Sequence, residues 1–131
     1  MKIIARNAQP AEADGLKTLR IGNDADLSAL AAAGAFDGVE RIELAFPQFT
    51  DGRAFSQAVL LRRRHGFAGD IRATGDVLID PLVQMARSGF TSAVLAQGVD
   101  PAAAERQLRR FAGFYQGDAS QPRPRFAREE G

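Results

Sequence analysis

The stretch Val39-Glu40-Arg41-Ile42-Glu43-Leu44-Ala45-Phe46 alternates residue by residue. In an extended chain Ile42, Leu44 and Phe46 share one side, and Arg41 and Glu43 share the other. Ile71-Arg72-Ala73-Thr74 does the same, with Ile71 and Ala73 opposed to Arg72 and Thr74. So does Thr18-Leu19-Arg20-Ile21, with Leu19 and Ile21 on the apolar side. These are strands with one apolar and one charged face.

Working outward, helix signals separate the strands. The sequence predicts strands at 2–5, 16–21, 39–46, 70–74 and 91–96. Between and after them it predicts helices at 24–33, 51–65, 80–89 and 100–115. Asn23 or Asp24, Asp51, Asp80-Pro81 and Asp100-Pro101 serve as start signals, and Gly34, Gly66 and Gly89 as stops. Residues 7–15 read as a loop. Residues 117–131 contain Pro122 and Pro124 and few apolar side chains, so they read as an extended or disordered tail behind a single α/β domain at 1–116.

Strands alternating with helices call for a parallel sheet with right-handed crossovers. A doubly wound sheet is covered by helices on both faces, and its strands read as continuous apolar runs. Here one face is charged. That points to helices on one side only, as in half of a TIM-type (βα)₈ barrel. The alternative is an open, flavodoxin-like doubly wound sheet. A half-barrel leaves sheet edges and one face uncovered, which favours a homodimer.

Composition excludes several chemistries. The chain has 131 residues, 45% of them hydrophobic, with 17 basic against 16 acidic residues. A net charge of +1 gives no electrostatic ground for nucleic acid or an anionic membrane as partner. Cysteine is absent and His65 is the only histidine, so thiol redox chemistry and an all-protein zinc or haem site are not expected. No dinucleotide or P-loop glycine spacing is present, and no cofactor or metal is expected. With neither a signal peptide nor an apolar stretch long enough to span a bilayer, the expected location is the cytoplasm.

In parallel α/β folds functional groups gather at the carboxyl ends of the strands. Asp51, Arg53 and Ser56 follow the third strand, and Asp76 and Asp80 follow the fourth; Glu43 and Arg72 lie within those strands. Asp51 and Asp80 are also natural helix caps, each worth about 1 kcal/mol. Arg53 falls in the first turn of a helix, where the macrodipole disfavours a cation unless an anion is near. Arg72 on the polar face requires an acidic partner, with Glu43 or Asp76 in reach. Two readings stay open: a buried ion-pair network that fixes the loops, and a carboxylate–arginine site that holds a small anion or moves a proton. Arg62-Arg63-Arg64-His65 ends a helix and reads as a solvated face that complements the dipole.

The residues Phe46-Pro47, Phe49, Asp51-Gly52-Arg53, Ser56, Leu61-Arg62, Gly66-Phe67, Gly69-Asp70-Ile71-Arg72-Ala73, Gly75-Asp76-Val77-Leu78, Asp80, Arg87, Gly89-Phe90 and Phe114-Tyr115-Gln116 form a spaced string. This string resembles the bacterial "domain of unknown function nine-three-four" family over residues 36–127. Members are commonly encoded beside the assimilatory sulfite/nitrite reductase haemoprotein and are often labelled oxidoreductases. The chain departs from the family pattern at Ser88, where cysteine is usual, at Pro81, where glutamine is usual, and at Asp70, where glutamate is usual. Its N-terminal third is shorter and more divergent. The resemblance implies an accessory or binding protein for sulfite reduction, without its own redox centre, with the reductase or its electron donor as partner. The competing reading is a small enzyme or anion-binding module. Asp51, Arg53, Arg72 and Asp76 are the leading site candidates, supported by Glu43, Ser56 and Asp80.

Overall fold

A computed structural model describes residues 1–6, 15–46 and 52–111. Five strands, β1 (Lys2–Ile4), β2 (Thr18–Ile21), β3 (Arg41–Phe46), β4 (Asp70–Gly75) and β5 (Ser92–Val94), are joined to four helices, α1 (Leu27–Ala32), α2 (Arg53–Arg63), α3 (Leu82–Ser88) and α4 (Pro101–Phe111). All strand pairs are parallel, in the order β1-β5-β4-β3-β2.

This is an α/β fold of consecutive βα units. From β2 to β5 the chain advances across the sheet in one direction. Right-handed crossovers advancing one way place every connecting helix on the same face. The packing agrees: Leu27 of α1, Ala58 and Leu61 of α2, Met85 of α3 and Ala104 of α4 join one core with Ile42, Leu44, Ile71 and Ala73. That is the winding of half a (βα)₈ barrel, with β1 added beside β5. A flavodoxin-like order would reverse direction among these four strands and this one does not; the chain crosses the sheet the other way only from β1 to β2, at its opposite edges.

Start signals were read less accurately than stops. Asp26, not Asn23 or Asp24, caps α1, accepting from the Ala29 amide at 3.1 Å. Pro81 occupies the cap position of α3, so Asp80 lies outside it. Asp100 behaves as expected, accepting from the Ala102 amide at 3.0 Å. Asp51, Phe49, the 7–14 part of the loop, the 112–115 end of the last helix and the tail at 117–131 lie outside the described residues.

The charged strand face is buried at its centre within the single chain. Arg72 is only 2% exposed and Glu43 7%, and Ile4 and Val94 on the same side are buried too. These residues therefore do not themselves demand a second subunit.

Gly75 closes β4 at φ 93°, and a Cβ there would lie 2.5 Å from the Phe46 carbonyl oxygen. Gly66 has a similar φ of 65° but open space around it. Gly75→Ala should therefore destabilise by more than about 2 kcal/mol and Gly66→Ala by about 1 kcal/mol. Urea unfolding of both variants checks the difference, and equal losses would remove the packing argument.

Candidate functional site

One polar residue from each strand forms a row across the sheet. Arg20 is opposite Glu43, Glu43 opposite Arg72, Arg72 opposite Ser92, and Ser92 opposite Lys2. Arg20 Nε donates to Glu43 Oε1 at 2.8 Å. Arg72 Nε donates to Ser92 Oγ at 3.0 Å. Ser92 Oγ in turn lies 2.9 Å from Asp70 Oδ1.

Asp70 is the hub. Arg41 Nε donates to its Oδ2 at 2.8 Å, Thr91 Oγ1 to its Oδ1 at 2.5 Å, and Arg72 Nη2 stands 3.6 Å away. Burial raises the pKa of this carboxyl. The hydrogen bonds from Thr91, Arg41 and Ser92 and the charge of Arg72 outweigh it, so the group lies below the ordinary carboxylate value. The hub joins β3, β4 and the start of β5 at their amino ends, the edge of such folds that reads as stability rather than function.

A second polar region lies in the helix layer. Between α1 and α2 is a cleft of about 280 Å³. Arg53, Ser56, Gln57 and Leu60 present one wall from α2, and Asn23, Asp26 and Ser28 the other. Gln57 Nε2 donates to the Gly22 carbonyl at 2.9 Å. Its Oε1 is buried with no hydrogen-bond partner among the described residues, and so is Nε2 of His65, which also lines the cleft. An unpaired buried acceptor costs about 1–3 kcal/mol.

The family model described as bacterial protein of unknown function, DUF934, matches residues 18–126. The chain belongs to the DUF934 family. No curated protein matches it.

The DUF934 string sorts into separate places. Arg72 and Glu43 are buried together on the polar face of the sheet. Arg53 and Ser56 are exposed on α2, whose Ala54, Ala58 and Leu61 pack on the opposite, apolar face. Arg53 and Arg72 therefore do not converge on one pocket. Asp76 is half-buried beyond β4, its amide donating to the Phe46 carbonyl at 2.7 Å, and Asp80 is exposed. Arg72 meets Asp70 and Ser92, a pairing not anticipated from the strand pattern.

Arg62 was read as part of a solvated helix end, and the fold corrects this. Its guanidinium donates to three carbonyls: Phe67 at 2.9 Å, Gly69 at 2.7 Å, and Gly89 at 3.0 and 2.8 Å. Burial lowers its pKa and the nearby Asp70 charge opposes that shift. The spacing of Arg62, Phe67, Gly69 and Gly89 in the string is thus the spacing of a clamp. Gln57 carried a sequence signal of its own, a polar residue in the otherwise apolar Ala54, Ala58, Leu61 stripe.

A group whose pKa is depressed by folding stabilises fully above its unfolded value, about 3.9 for aspartate, and loses that contribution as pH falls through the folded value. Asp70→Asn should cost about 3 kcal/mol at pH 7, the low end for breaking a buried pair. The gap to the parent should begin to narrow below about pH 4, where the unfolded carboxyl takes up its proton, and close further as pH falls through the lower folded value. Urea titrations at pH 7 and pH 3 measure it; a gap that widens in acid would contradict the assignment.

Proposed function

We propose that this DUF934 protein is a cytoplasmic accessory protein of sulfite reduction that acts by binding, to the sulfite/nitrite reductase or its electron donor, and carries no redox centre of its own. The observation that carries this reading is the separation of the string's polar residues. Acid–base work on one substrate needs its groups within hydrogen-bond reach of a common point. Arg72 and Glu43 are instead buried on one sheet face, while Arg53 and Ser56 are presented outward on α2. Buried charges held by one another maintain the sheet, and exposed polar residues on a well-packed helix suit recognition. The sulfite context comes from the family resemblance. The cysteine-free sequence supports a role without thiol electron transfer. Co-purification with the reductase tests the proposal. The parent and Arg72→Lys should retain the reductase, and Arg53→Ala should lose it. No association, with normal growth of a deletion strain on sulfite, would refute the reading.

A homodimer belongs to the same proposal. Its support is the pair of edge strands, β1 and β2, each with one strand neighbour among the described residues. Light scattering at micromolar concentration should give twice the chain mass, and a strict monomer would remove the dimer.

A further inference from the structure

Charge is sorted by element in this fold. α2 closes on Arg63 and Arg64, α3 on Arg87, and α4 carries Arg106, Arg109 and Arg110, all of them exposed. Neither α2 nor α3 contains an acidic residue, and α4 has Glu105 alone. Exposed carboxylates sit instead ahead of the helices, at Asp24, Asp26, Asp80 and Asp100. Glu40, before β3, accepts from the Lys17 amide. α3 packs between α2 and α4. Helices of consecutive βα units run the same way, so their last turns share one edge of the layer. A cation in a last turn complements the helix dipole. That accounts for arginines at these ends and not for the missing acids between them, since a solvated face ordinarily mixes both signs. Arg87 and Arg110 have interactions of their own. Arg63, Arg64, Arg106 and Arg109 have no side-chain ion pair or hydrogen bond among the described residues. Leu60, 37% exposed, stands one turn before Arg63 and Arg64 and adds apolar area.

We propose that the outer face of α2, α3 and α4 docks a protein whose surface is rich in aspartate and glutamate. Guanidinium forks pair carboxylates bidentately, and arginine beside an apolar side chain is the composition of protein interfaces. Nucleic acid fits this face less well. Its phosphates are held in part by backbone N–H groups at helix N-termini, and this edge presents helix C-termini. Its bases stack on exposed rings, and the large apolar residues exposed among the described residues are Leu16 and Leu60, neither of them aromatic. The face is separate from the first turn of α2 that presents Arg53. The proposal goes beyond the accessory role and stands whether or not the protein docks on a reductase.

The test is titration of the full chain with a ten-residue oligoglutamate, followed by calorimetry and by the arginine Nε–H resonances. The peptide should bind at about 20 mM salt, and its affinity should fall about tenfold or more at about 150 mM, because exposed charges are screened. The Nε–H resonances of Arg63 and Arg109 should shift, while that of the buried Arg41, held by Asp70, should not. This readout is made on the parent and depends on no variant folding. Arg63→Gln combined with Arg109→Gln should weaken oligoglutamate binding about tenfold, the value of two exposed ion pairs. Tighter binding of a ten-residue oligothymidylate or of phosphatidylglycerol vesicles, no binding of oligoglutamate at millimolar concentration, or an unchanged affinity in the double variant would each overturn the proposal.

Discussion

A charged row crossing a buried parallel sheet must be neutralised inside the sheet. Four of the buried polar residues, Arg41, Glu43, Arg72 and Ser92, lie on one face of three adjacent strands. Desolvating such groups singly costs several kcal/mol each. Asp70 resolves most of this with one carboxylate, accepting from Arg41 and Thr91 and linked to Arg72 through Ser92. Because these partners come from β3, β4 and the residues opening β5, the hub fixes the order of the strands as well as their charge. Glu43 is served differently, by Arg20, whose side chain is largely in water.

On the other face of the same edge, Arg62 works in parallel. Its four hydrogen bonds hold the α2 end, the approach to β4 and the turn before β5 in one place. The amino ends of the central strands are therefore locked from both sides of the sheet. This leaves the first turn of α2 and the loop after β2, at the opposite edge, to present Arg53, Ser56 and Asn23 outward. The stabilising contacts are gathered at the amino ends of the strands, and the recognition proposed for Arg53 and Ser56 is assigned to the other end, beyond which ligands gather in parallel α/β folds.

Secondary structure was legible where a residue type has only one physical use. Gly89, with φ 119°, ends α3 as read from sequence, because a left-handed cap admits little else. Aspartates were less legible, since cap, ion-pair partner and ligand all suit a carboxylate. Asp26 took the cap expected of Asn23 or Asp24, and Asp70, quoted in the family string and as a departure from its usual glutamate but not as a site candidate, became the hub. The candidate cluster was legible as individual residues and not as a site. Arg53 and Arg72 both lie close to the loops in sequence, yet alternation puts Arg72 on one face of the sheet and the crossover puts α2 on the other.

The sequence by itself determined the all-parallel βα architecture, the one-sided helix layer and the absence of thiol chemistry, because alternation period, helix punctuation and composition are local properties. Only the tertiary structure decided which charges meet. Arg72 with Ser92, Arg62 with Gly89, and Gln57 with Gly22 are 20 to 35 residues apart in the chain. Their pairing depends on strand register and helix crossing, which no local pattern encodes. The unmatched acceptor of Gln57 has the same origin, since an amide reads as satisfied or unsatisfied only when the groups facing both its ends are in place.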